Sequence, residues 1–168
     1  MDQIPVLYRS SDILSKASAL KDQVIAWRRD FHQNPELGFE EVRTSEIVAK
    51  HLESLGLEVR RGVGQTGVVG LLRGNLPGPT IGLRADMDAL PIQDQKETSY
   101  RSTVIGKMHA CGHDAHTSIL MGAAQFLSQQ GRPEKGNIAF VFQPAEEGLG
   151  GASAMIKDGL FSAYGIDA

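Results

Sequence analysis

Apolar residues in the first part of the chain recur at steps of four and three. Ile13, Ala17, Leu20, Val24, Trp27 and Phe31 fall on one face of a helix predicted over 13–31. Asn34-Pro35-Glu36-Leu37-Gly38 breaks it, because proline disfavours helical geometry in the residue before it and glycine permits a sharp redirection. A second helix carries the stripe Ile47, Val48, Leu52 and Leu55, and Gly56 stands where a left-handed C-terminal cap belongs. Both helices read as architecture. Beyond Gly56 the texture changes to short β-branched and leucine-rich runs punctuated by glycine, which predict strands over 57–60, 67–73 and 80–85. Between the last two, Gly74-Asn75-Leu76-Pro77-Gly78-Pro79 has a turn composition that suits an antiparallel connection. Helical spacing returns over 117–127 and stops at Gly131-Arg132-Pro133; a buried strand follows over 137–143, then a short helix over 152–157. Tyr164-Gly165-Ile166-Asp167-Ala168 reads as the approach to another strand. The expected fold is mixed α/β, a mixed sheet covered by helices.

Composition narrows the classes of function. With 168 residues, 41% of them hydrophobic, the chain suits one folded domain with a sizeable core. A net charge of -3, with Lys and Arg spread along the chain, leaves no footprint for a polyanion, so no nucleic-acid partner is expected. No stretch approaches the roughly 20 apolar residues of a membrane span, and Met1-Asp2-Gln3-Ile4-Pro5 does not resemble a secretory leader. The expectation is a cytoplasmic protein with no membrane partner. Cys111 is the single cysteine, which excludes an intrachain disulfide and leaves the thiol as a small core residue or a chemical participant.

Three polar clusters stand just after a predicted strand or at the start of a helix, where ligand sites gather in α/β sheets. Arg84-Ala85-Asp86-Met87-Asp88 follows the strand over 80–85, and its two carboxylates project to one side of extended chain. Taken alone, an Asp-x-Asp is more often a solvated acidic turn than a site. Met108-His109-Ala110-Cys111-Gly112-His113-Asp114-Ala115-His116 holds three of the five histidines and the only cysteine. A thiolate and an imidazole two positions apart can reach one divalent ion, so this density favours a metal site over coincidence. His32 and His51 lie on helices without such company and receive no function. Gln143-Pro144-Ala145-Glu146-Glu147-Gly148 follows the strand over 137–143. Its glutamates are either an exposed acidic loop or, beside a metal, a ligand and a free general base.

At these clusters the sequence resembles the M20 metallopeptidase family, in its aminoacylase, hippurate hydrolase and auxin-conjugate hydrolase branch. The resemblance extends to Trp27-Arg28-Arg29-Asp30-Phe31-His32 with Asn34-Pro35-Glu36-Leu37-Gly38, and to Gly151-Ala152 through Gly159-Leu160. It implies a zinc-exopeptidase-like catalytic domain and a site for two divalent metal ions: zinc or manganese, cobalt or nickel. Cys111, His113 and Glu147 are the implied ligands, and Glu146 the general base that takes a proton from the attacking water and returns it to the leaving amine. Asp86, Asp88, His109 and His116 are implied supports around those ligands. Asp86 departs from the wider family, which often places a histidine ligand there. The implied reaction is hydrolysis of the linear amide of an N-acyl amino acid. A related deacylase or dipeptidase, and a non-catalytic metal-binding fragment, stay open as alternatives.

Members of the branch are longer, so residues 1–168 are expected to be the N-terminal part of the catalytic domain. The rest of that domain, with further histidine ligands, and a lid domain through which a homodimer forms would then be absent, leaving the chain inactive alone.

Overall fold

The computed structural model describes residues 10–167. Two helices, α1 (Ser10–Ser18) and α2 (Lys21–Gln33), occupy the stretch expected to be one. At the break Leu20 N–H donates to the Ala17 carbonyl, a tight three-residue step in place of the four-residue helical one. The apolar register continues across this turn, so periodicity alone reads through it; Ile13 nevertheless stays 39% exposed while Phe31 is buried. α3 (Val42–Ser54) ends as expected, with Gly56 at φ +76°.

The strands are β1 (Glu58–Val63), β2 (Gly67–Arg73), β3 (Leu76–Asp86) and β4 (Lys135–Gln143), and α4 (His113–Gln129) lies between the last two in sequence. Sheet order is β1-β2-β4-β3. β2 is antiparallel to β1 and to β4, whereas β3 is parallel to β4. Strands β2 and β3 therefore run in opposite directions as their turn composition suggests, but they are not neighbours: β4 lies between them. The reason is hydrophobic. β4 buries Phe140 and Phe142 on one face and Ala139 and Val141 on the other, a pattern that requires an interior position with both faces covered.

Strand alternation divides the core in two. Val68, Leu72, Phe140 and Phe142 meet Phe31, Val48, Leu52, Leu120 and Met121 of helices α2, α3 and α4. Val69, Leu71, Ala139 and Val141 meet Met155 and Leu160 of α5 (Gly151–Lys157) and α6 (Leu160–Tyr164). Burying each phenylalanine contributes roughly 1.5–3 kcal/mol, so this two-sided burial secures the central strand on which the site depends. Beyond α6, Ile166 makes a single parallel bridge to Thr80 on the outer side of β3, where Asp167 N–H donates to the Thr80 carbonyl. Met1-Asp2-Gln3-Ile4-Pro5 and Ala168 lie outside the described residues. Among the described residues no helix is long and apolar enough to cross a membrane.

Candidate metal centre

Because β3 and β4 are parallel and pair Asp86 with Gln143, the polar segments that follow each strand emerge at the same end of the sheet. The histidine and cysteine cluster arrives there at the start of α4, which begins at His113 after Gly112 at φ +102°. The Thr117 hydroxyl donates to the Asp86 carbonyl (2.8 Å) and ties the first turn of α4 to the end of β3.

His113 is the centre of the arrangement. It is 2% exposed, and its Nδ1–H donates to the Asp88 carbonyl (2.9 Å). A carbonyl can only accept, so this bond fixes one proton on Nδ1, and it is Nε2 that carries the lone pair toward the acidic groups whenever the ring is neutral. Nε2 lies 3.5 Å from Asp86 Oδ1 and 3.9 Å from a carboxylate oxygen of each of Glu146 and Glu147. Burial pushes the His113 pKa down, but its hydrogen bond to Asp88 and the charge of Asp86 outweigh this and raise it to about 8. Cys111, exposed at the rim, has its thiol pKa raised, first by its hydrogen bond to Glu147 and then by burial. Asp88 is 2% exposed, and its Oδ2 accepts the Glu147 N–H (2.9 Å). Burial acts to raise its pKa, but hydrogen bonds from His113 and from the Glu147 and Glu146 amides hold it below the ordinary value.

Asp86 is also buried, and it accepts from His116 Nδ1 (2.7 Å) and pairs with Arg84 (2.7 Å). His109 reaches no hydrogen bond: it is 4% exposed, neither ring nitrogen has a partner among the described residues, and burial lowers its pKa to about 4.

Glu146 and Glu147 sit on a turn held in an unfavourable conformation. Ala145 is at φ +49°, which costs a residue with a side chain about 1–2 kcal/mol. The turn is closed by Gly151 N–H donating to the Ala145 carbonyl (3.0 Å), and Gly151 packs so tightly that a Cβ there would stand 1.7 Å from the Pro144 oxygen.

Two participants escape sequence reasoning. Glu41 is fully buried and accepts the Ala145 N–H (2.8 Å), although its position in a Glu-Glu pair suggests solvent. His32, given no function, is fully buried with Nδ1 2.6 Å from Asp114 Oδ2, which also pairs with Arg28 at 2.8 Å. This network packs at the start of α4; the only hint in sequence is that Asp114 is the one carboxylate in a helix with no lysine or arginine. His51 stacks edge-on against Trp27 and bonds the Met121 carbonyl, a packing role.

Cys111, His113 and Glu147 each offer a donor atom within 4.8 Å of the others, and so do Asp86, His113 and His116. These residues fit a divalent cation. Asp88 Oδ1 and Glu147 Oε1 are buried without a hydrogen-bond partner of good geometry among the described residues, and the carboxylates of Asp86, Asp88, Glu146 and Glu147 all lie within 3.9 Å of the His113 ring nitrogens, a concentration of negative charge that suits a cation. A mixed sheet with thiol, imidazole and carboxylate groups gathered at the ends of its parallel strands has the layout of a metallopeptidase catalytic domain.

Comparison with known proteins makes the assignment specific. Residues 82–168 match the model of peptidase family M20/M25/M40. The chain is 49% identical over 151 residues to thermostable carboxypeptidase 2 of Saccharolobus solfataricus, covering 88% of this chain and 38% of the relative. It is 51% identical over 140 residues to hippurate hydrolase of Campylobacter jejuni, covering 83% and 36% respectively. Its fold matches the YXEP protein of Bacillus subtilis, described as a dinuclear metal-binding peptidase from the M20 family, with a TM-score of 0.80 and 43% identity over 86% of this chain and 41% of that one. The chain belongs to peptidase family M20/M25/M40. It spans little more than a third of the length of these curated relatives.

Proposed function

We propose that these residues form part of the metal centre of an amidohydrolase that cleaves N-acyl amino acids. The observation that carries the reading is the meeting of Cys111, His113 and Glu147 within 4.8 Å, with the Glu146 carboxylate 3.9 Å from the same imidazole. In this reading Cys111, His113 and Glu147 hold a divalent ion, and a second ion needs donors beyond these three. A bound ion polarises the amide carbonyl and makes water more acidic. Glu146 is the general base. Its side chain is 42% exposed and makes no hydrogen bond among the described residues, so it can take a proton from the attacking water and deliver it to the leaving amine. Asp88 holds the Glu147 amide and, through its carbonyl, the proton on His113 Nδ1; this keeps Nε2 available for the ion. Asp86 and His116 flank the same imidazole. Likeness to hippurate hydrolase supports an acyl-amino-acid amide as substrate, hippurate being benzoylglycine. Likeness to a carboxypeptidase favours a second reading, a peptide bond opened by the same residues.

The test is a chimera in which this chain replaces the corresponding segment of the Campylobacter hippurate hydrolase. Zinc or manganese loading should give hydrolysis of N-benzoyl and N-acetyl amino acids, and Glu146→Gln should abolish turnover with metal content unchanged. A folded, metal-loaded chimera that cleaves dipeptides alone supports the second reading; one that cleaves neither removes the proposal, and turnover surviving Glu146→Gln removes Glu146 from the base role.

A further inference from the structure

The loop between α2 and α3 touches each of the segments that build the centre. The Glu36 carbonyl accepts the Ala89 N–H (2.8 Å), and Leu37 bridges Ala89, directly after Asp88. The Glu36 carboxylate meanwhile accepts the amides of Arg43 and Thr44 at the start of α3, so the loop is braced at its far end. Glu40 pairs with Lys107 (2.8 Å), next to Met108, which exchanges backbone bonds with Leu90. Gly38 lies against Ala145: a Cβ there would stand 3.0 Å from the Ala145 Cα and Cβ. Glu41 completes the set, its Oε1 accepting the Ala145 N–H and its Oε2 the Thr66 hydroxyl.

We infer that Glu41 is a positioning residue for the metal centre: its buried carboxylate holds the Ala145 turn that presents Glu146 and Glu147. The inference rests on the metal-centre reading. An apolar side chain could fill the same space, but it would leave the buried Ala145 amide and the half-buried Thr66 hydroxyl without their acceptor. The carboxylate accepts from both at once, one oxygen for each; a carboxamide keeps both contacts only by donating to the Thr66 oxygen while its own oxygen accepts the Ala145 amide. Because Ala145 occupies a left-handed conformation that its side chain disfavours, the turn relaxes once this bond is lost. Glu147, two residues on, then no longer faces Cys111 and His113.

The experiment measures zinc affinity of the 168-residue chain by competition with a chromophoric chelator, alongside amide exchange in metal-free protein. Glu41→Ala should weaken zinc binding by about 10–100-fold, the usual effect of removing a group that orients a ligand. Glu41→Gln should restore most of the affinity, its oxygen accepting the Ala145 amide while its amino group donates to Thr66. Gly38→Ala, which pushes on Ala145 without touching Glu41, should weaken binding too and serves if Glu41→Ala does not fold. Val48→Ala, a core truncation in α3, should lower stability and leave affinity unchanged. The Ala145 amide should be protected in the wild type and exposed in Glu41→Ala. Equal affinities for wild type, Glu41→Ala and Gly38→Ala overturn this inference alone, as does a loss in Val48→Ala matching that in Glu41→Ala. A wild-type chain that binds no zinc overturns the metal-centre reading and the positioning role with it.

Discussion

In the proposed ligand set, metal binding at Cys111, His113 and Glu147 must displace protons, and the protonation of these side chains in the metal-free protein sets how many. Without metal the His113 pKa is about 8, so at pH 7 roughly nine-tenths of the imidazole carries a proton that must leave before Nε2 can bind an ion. The Cys111 thiol lies above its ordinary value of 9.0, pushed up by Glu147, so it too is protonated at pH 7. About two protons should therefore leave per ion bound at pH 7. The protonation penalty on affinity is about tenfold from His113 and at least about 100-fold from Cys111. The logarithm of the apparent zinc affinity should climb with a slope near two per pH unit between pH 6 and 7.5, and flatten toward one above pH 8. Titration calorimetry in buffers of different ionisation enthalpy counts the released protons directly. Cys111→Ala should lower both the count and the slope by one. Binding with no proton release, or with affinity that falls as pH rises, would refute the ligand assignment. A Cys111→Ala chain with unchanged count and affinity would return the thiol to a rim residue.

Other consequences concern stability. His109, held neutral by burial with a pKa of about 4 against 6.5 when unfolded, contributes stability above pH 6.5 that is lost as pH falls toward 4. The difference in urea-unfolding free energy between wild type and His109→Gln should shrink by about 3 kcal/mol across that window; a pH-independent difference would contradict it. His113 acts in the opposite sense in metal-free protein. Its raised pKa gives stability below pH 6.5 that fades as pH rises to about 8, by about 2 kcal/mol, and saturating zinc should reverse the trend. Asp114→Ala strips the buried His32 and the half-buried Arg28 of their shared partner and should cost about 3–5 kcal/mol by chemical denaturation; a loss under 1 kcal/mol would remove the network from the supports of α4. Gly151→Ala, whose new methyl meets the Pro144 carbonyl, should lower the melting temperature and weaken zinc binding together.

Much of this architecture is legible in the sequence, since the patterns that encode it are local. The alternation in Gly67–Arg73 and Lys135–Gln143 places Val68 and Phe140 on one face and Val69 and Val141 on the other, with no reference to distant residues. The stripe in Val42–Ser54 and its glycine stop are equally local. Cys111, His113, Glu146 and Glu147 are conspicuous as residue types clustered beside predicted element ends. What periodicity cannot supply is partnership. The stretch 74–79, expected to be a turn, lies within β3 from Leu76 onward, so only Gly74 and Asn75 separate β2 from β3; the insertion of β4 between those strands follows from its need for cover on both faces, which is a comparison among all strands and not a property of the connection. The turn at Ala19-Leu20 leaves no trace in a pattern whose register it preserves.

The site divides in the same way. Sequence alone determined which side chains could bind a cation, because thiol, imidazole and carboxylate chemistry belongs to the residue. Only the tertiary structure decided that Asp86 and Gln143 end side by side, that the Asp88 carbonyl fixes the His113 proton, and that Glu41 lies buried against Ala145 at a separation of 104 residues. A buried carboxylate and an exposed one have the same name in the chain. Burial and hydrogen-bond partners come from distant segments, and the free energy that holds Glu41 against Ala145 or His32 against Asp114 exists only once those segments have met.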